Sequence, residues 1–199
     1  IYTRAMATMA INYNGSKWGN PALGTEGGPV TWSLDASPFG SSPPVALSQA
    51  ELLDAARKAF GLWESLAKID FQEILFSGST QIKIGVGAID GPNSTLGQAG
   101  WHYRIAGNGN QMIDATVTLD AAEQWITPQR PTFGWDLFAV TLHEVGHTLG
   151  LGHSNDPASL MYAYLDNQRG PSSSDIAAIQ EIYGSNPRDT TVDTEVAGS

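Results

Sequence analysis

Residues 143–153 read HEVGHTLGLGH, three histidines and one glutamate at the spacing of a hydrolytic zinc site. His143 and His147 are four apart, so on a helix their rings leave one face a turn apart and can share a metal. Gly150 lets the chain take the positive φ that ends a helix, and the turn brings His153 round as a third ligand. Three protein nitrogens leave the fourth tetrahedral position to water, which distinguishes a catalytic zinc from a closed structural one. Glu144 stands where its carboxylate reaches that water and takes its proton. By chance the pattern HExxHxxGxxH arises in roughly one chain of this length per ten thousand.

Outward from the motif, Phe138, Leu142, Val145 and Leu149 predict a core-facing stripe on the same helix, with the histidines beside it. A last helix runs from a Ser172 cap, with Asp175 at its third position, through Ile176, Ile179 and Ile182 to Gly184. Upstream, Ser48 and Glu51 form a capping box for a helix striped by Leu52, Ala56, Ala59, Trp63 and Leu66. VTWSL from Val30, IDFQEILF from Ile69 and QIKIGV from Gln81 read as strands. Ile113, Ala115, Val117 and Leu119 alternate towards Asp120. Residues 90–110 are dense in Gly and Asn and read as a loop, interrupted by Trp101, His102 and Tyr103. A Pro-marked loop from Thr127 to Thr132 leads into the motif helix. The order is strands and one helix, then the metal helix and a closing helix. It predicts an α+β domain whose cleft lies between a sheet-bearing upper part and a smaller lower part.

The chain has 199 residues, 20 acidic against 10 basic, a net charge of −10 and no cysteine. That length suits one core, set here at residues 29–184, with an irregular Gly/Asn/Ser-rich arm over 1–28 and a polar tail or linker over 185–199. The acidic balance argues against nucleic acid and anionic membranes, and suits calcium binding as well as plain solubility. Without cysteine there is neither a disulfide nor a thiolate nucleophile. No apolar run is long enough to span a bilayer. The chain starts at Ile1 rather than Met, so it reads as a mature or excised fragment whose targeting segment lies outside it.

The long motif resembles that of the metzincin metalloendopeptidases, and the residues after it narrow the likeness. Ser154 follows the third histidine, and Met161 within SLMY is similar to the Met-turn of the matrixins. PSSSDIAAIQEIYG resembles the matrixin C-terminal helix, while the stretch from Trp18 through VTWSL is closer to bacterial serralysin-like relatives. Ala163 stands where matrixins usually carry proline, between Tyr162 and Tyr164. The resemblance implies a twisted mixed β-sheet, three main helices and a cleft between a larger upper and a smaller lower subdomain.

It also implies a structural calcium. IDGPNSTLGQAG resembles the matrixin calcium loop and points to Asp90 with backbone oxygens of Gly91, Asn93 and Thr95; TLDAAEQW adds Asp120 and Glu123. The plain alternative is an Asp-Gly turn followed by an exposed helix start. Matrixins hold a second, structural zinc nearby. Lys83, Gly85, Gln98 and Thr118 occupy the corresponding positions here and cannot rebuild it, so one zinc is expected, with His102 a partly exposed loop residue.

The expected function is zinc-dependent endopeptidase action on extended polypeptide, with Glu144 as general base and the edge strand near Leu96 and Gly97 pairing with substrate. A secreted monomer without nucleic-acid or membrane partners is expected. Two other readings stand beside it: a metal-dependent binding module with little or no hydrolysis, and a zinc hydrolase of small amides.

Overall fold

The computed structural model describes residues 12–40, 47–131, 133–164 and 168–187. The start of the arm, Thr132 of the Pro-marked loop and the tail beyond residue 187 lie outside them. One sheet forms the upper part. Its strands are β1 (Ser16–Lys17), β2 (Pro29–Leu34), β3 (Asp70–Glu73), β4 (Ile82–Gly87), β5 (Gly97–Ala106) and β6 (Gly109–Asp120). β5 lies antiparallel along one edge of β6. The other edge of β6 takes β4 and, further towards its start, β1, both parallel. β2 and β3 continue the parallel order beyond β4. A two-stranded parallel pair, β7 (Trp125–Ile126) and β8 (Trp135–Asp136), follows.

Three helices complete the fold: α1 (Gln49–Leu66), α2 (Leu137–Thr148) and α3 (Ser173–Tyr183). Ser48 caps α1 in a reciprocal box with Glu51, and Ser172 caps α3 in the same way with Asp175. All five residues of the α1 stripe are buried, as are Ile82, Ile84 and Val86 of β4. α1 and α2 are tied by Trp63, which is fully buried and donates its Nε1–H to the Leu142 carbonyl at 3.0 Å. One turn before Trp63, Phe60 packs its ring against Trp32 and Phe71, with centroids 4.6 and 4.7 Å apart. The α+β expectation is met, with a mixed sheet and three helices.

Two local expectations are corrected. Residues 97–106 are a ten-residue strand, not a loop, so His102 lies on a strand, where its Nδ1–H donates to Asp114 Oδ1 at 2.7 Å. The alternation in β6 also breaks. Tyr103 faces Met112 and His102 faces Asp114, so Ile113 is an extra residue in a β-bulge. The bulge shifts the side-chain phase, which buries Met112 and leaves Ile113 45% exposed.

The described part of the N-terminal arm is woven into the body. β1 extends the sheet, Trp18 is buried, and its backbone N–H donates to the Tyr183 hydroxyl at 3.1 Å. Lys17 is fully buried, its ammonium held by the carbonyls of Trp18, Asn20 and Thr25 and by the Thr25 hydroxyl. It lies 4.7 Å over the Tyr183 ring, and burial pushes its pKa down to about 8.

Candidate metal centre

α2 begins at an Asp136 cap, whose side chain accepts from the Ala139 amide at 3.1 Å, and runs almost wholly buried. It ends in a Schellman turn. The Gly150 N–H donates to the His147 carbonyl and the Leu151 N–H to the Gly146 carbonyl, each at 3.1 Å, with Gly150 at φ +100°. A β-carbon at Gly150 would also lie 2.6 Å from the Ser16 carbonyl oxygen. Glycine is therefore required twice, for conformation and for space.

The turn brings His153 back onto the two helical histidines. His147 Nε2 lies 3.1 Å from both His143 Nε2 and His153 Nε2. The Nδ1 atoms of His143 and His147 face the carbonyls of Leu160 and Leu151 at 2.7 and 2.8 Å. A carbonyl only accepts, so these Nδ1 atoms carry the protons and both Nε2 atoms present bare lone pairs. Bare lone pairs at this distance repel unless a cation sits among them. Tetrahedral zinc with ordinary Zn–N bonds needs nitrogens about 3.3 Å apart, so the donor set fits. Burial, followed by the charge of His147, pushes His143 down to about 4, and burial lowers His147 and His153 too. All three imidazoles are thereby kept in the neutral form that binds metal.

Glu144 is buried beside this cluster, and burial pushes its carboxyl up to about 7. Its stem packs on β5, where a β-carbon at Gly97 would come within 3.0 Å of Glu144 Cγ. Gly97, Ala99 and Trp101 of β5 share a cavity of about 390 Å³ with Glu144, His147 and His153. Larger cavities lie among the described residues, about 490 Å³ beside Asn93 and Trp135 and about 420 Å³ beside Glu51 and Arg169. Neither contains the histidines, so chemistry rather than size selects the site.

Beneath the helix, Met161 is buried with its Sδ 2.7 Å from where a β-carbon on Gly146 would stand. Gly146 thus lets the methionine turn close under the ligands. Asp175 holds that turn, accepting from the Leu160 amide at 2.8 Å and from the Ser159 hydroxyl. The same carboxylate closes the cap of α3. One acid therefore joins the carbonyl that orients His143 to the C-terminal helix.

The arm supplies residues that the sequence reading missed. Asn14 donates its Nδ2–H to the His147 carbonyl at 2.9 Å, and the Asn12 side chain donates to the His153 carbonyl. Trp18 Nε1 donates to the Thr148 carbonyl at 2.7 Å. Asn14 and Trp18 thus bond to carbonyls of the last turn of α2, which have no partner within the helix, and Asn12 to the loop that carries the third histidine. Nothing in a Gly/Asn/Ser-rich stretch announces such contacts, because a single carboxamide on a distant carbonyl leaves no periodic trace.

The residues expected to hold calcium meet at the loop of Asp90. Asp120 Oδ2 accepts from the amides of Asp90 and Gly91 at 3.2 and 3.1 Å, and Glu123 accepts from those of Asn93 and Ser94. Asp90 takes the amide and hydroxyl of Thr95 and the hydroxyl of Ser94. The Thr95 hydroxyl is the main cause holding Asp90 below its usual range; for Asp120, burial acts upwards but the surrounding amides outweigh it. Among the described residues the three histidines form the one group of three or more possible metal ligands. The carboxylates of Asp90, Asp120 and Glu123 are not drawn as close together as the three imidazoles. Where a second zinc would lie, Gly85, Thr118 and Gln98 align in one row across β4, β6 and β5, with Lys83 two residues before Gly85.

A helix bearing two ligands, a glycine turn carrying the third and a methionine turn below them define a domain of the metzincin class. The matrixin family pattern, Peptidase_M10, matches residues 26–184, and the chain belongs to that family. It is 33% identical over 179 residues to the hatching enzyme of Paracentrotus lividus, covering 83% of this chain and 27% of that protein. To human matrix metalloproteinase-16 it is 34% identical over 149 residues, 67% of this chain and 24% of the relative. To human neutrophil collagenase it is 36% identical over 155 residues, 71% and 31%. The chain thus spans only about a quarter to a third of the length of these relatives. Matrixins use catalytic zinc and structural calcium.

Proposed function

We propose that this chain is a zinc-dependent endopeptidase, with His143, His147 and His153 holding the ion and Glu144 acting as general base. The observation that carries this reading is the convergence of the three Nε2 atoms beside a buried carboxyl. Bound zinc supplies a Lewis acid that acidifies water and polarises a peptide carbonyl. The protein's own contributions are separate. The Leu160 and Leu151 carbonyls fix the imidazole tautomers and ring angles, as outer-shell partners of metal ligands do. Glu144, its pKa raised by burial, is a strong enough base to take a proton from water and pass it to the leaving amine. An open cavity with β5 as its wall admits an extended chain. Casein should be cut by the zinc-loaded protein, activity should vanish with a zinc chelator, and re-added zinc should restore it. Inactivity towards casein and mixed peptides at full zinc occupancy would sink the reading. Retention of Glu144 disfavours a pure binding module, which has no use for that carboxylate.

We further propose calcium at the loop of Asp90, Gly91, Asn93 and Thr95 with Asp120 and Glu123. The donor types suit calcium, and Asp120 and Glu123 are buried without an ion-pair partner among the described residues. Their present hydrogen bonds to backbone amides would be partly exchanged for the cation. Millimolar calcium should raise the melting temperature of zinc-loaded protein on the order of 5 °C. Asp120→Ala should lower the baseline and remove most of that increment. Melting indifferent to calcium would strike the site out.

Residues 29–184 are proposed as the catalytic unit of a secreted monomer, flanked by the arm (1–28) and the tail (185–199). Among the described residues no helix is long and apolar enough to cross a membrane.

A further inference from the structure

β5 continues well past the cleft. Gly97, Ala99 and Trp101 point to the metal side, and the same face of the strand goes on to Tyr103 and Ile105. From Gly97 to Ile105 the strand covers roughly 26 Å at ordinary strand rise. Its two faces are treated differently. On the outer face, His102 is paired with Asp114 and Arg104 with Gln111, so the polar side chains are satisfied within the hairpin. On the cleft side, Tyr103 and Ile105 stay 52% and 81% exposed. Among the described residues β5 pairs with β6 alone, so its other edge is open over the same length. A long open edge with uncovered aromatic and β-branched side chains is a template for another strand and a liability unless something uses it.

We propose that substrate adds to β5 as a strand along this whole edge. The apolar row of Trp101, Tyr103 and Ile105 then selects polypeptides with apolar residues at alternate positions, roughly four to eight residues from the cut bond. The inference rests on the endopeptidase reading above and names the substrate class of that site. A substrate strand beside β5 places every second side chain on the cleft face, next to this row. Continuity with the cleft identifies the occupant as substrate, since the strand that frames the cleavage site is the strand that bears the row.

The test uses a short peptide cut by the wild type, taken from a mapped casein site, and two longer versions. Each carries a Val-Thr-Val-Thr-Val-Thr extension, one at the amino end and one at the carboxyl end. One extension, and not the other, should raise kcat/KM about tenfold through a lower KM. The double variant Tyr103→Ser/Ile105→Ser should lose that gain while cutting the short peptide at the wild-type rate. Equal rates on all three peptides, or a gain that survives in the double variant, overturns the proposal with the endopeptidase reading intact. If wild type is a dimer in gel filtration and the double variant a monomer, a second copy occupies the edge and the proposal also falls. Failure to cut any peptide removes the endopeptidase reading itself, and is seen in the wild type alone.

Discussion

Glu144→Gln is expected to give a folded, fully zinc-loaded protein that hydrolyses peptides on the order of a hundredfold or more slowly than wild type. Glutamine keeps the stem that packs on Gly97, so the wall between α2 and β5 is undisturbed. The three histidines and the carbonyls that orient them are also unchanged. What is lost is the capacity to take up a proton, which an amide lacks at any working pH. The loss should fall on kcat more than on KM, because the cavity retains its shape. Zinc content, circular dichroism and turnover measured on one preparation separate this from misfolding. Near wild-type turnover at full zinc occupancy rules out Glu144 as the base.

His153→Ala should abolish activity by releasing the metal. Only two nitrogens would remain, and affinity should fall on the order of a hundredfold or more. The turn itself should survive, because the Asn12 side chain bonds to the backbone carbonyl of residue 153, which alanine retains, and Gly150 keeps its own bonds. The variant is therefore expected to fold yet to lose zinc on dialysis, measured as metal per chain. One tightly held zinc per chain after dialysis would mean that the third ligand is another residue.

The metal centre was legible because its information is local. Ligand spacing on a helix, a glycine at the turn and a nearby methionine all fall within residues 143–161, and the fold only has to close them. The capped helices were legible for the same reason. β5 was not, because its apolar positions are Gly97, Ala99, Trp101, Tyr103 and Ile105, of which the first two carry little hydrophobic signal. Glycine and asparagine also crowd both of its ends. The bulge at Ile113 escaped because one inserted residue leaves alternation intact on paper and changes which face it means. Asn12 and Asn14 act on carbonyls more than 130 residues away, a relation that no short window contains. Calcium residues could be nominated by donor type, but whether Asp120 and Glu123 face a cation or backbone amides depends on loop geometry.

A peptidase is surrounded by copies of itself, and self-digestion begins wherever a chain end peels away into extended form. Here the two ends of the described body are fastened largely to each other. Trp18 meets Tyr183, the Gly24 amide reaches the carbonyls of Glu181 and Ile182, and Asn186 bonds to the Glu64 carbonyl of α1. Cuts before Asn12 or after Pro187 remove none of these bonds. Loosening either end therefore loosens the other, because Trp18 of the first and Tyr183 of the last share one contact.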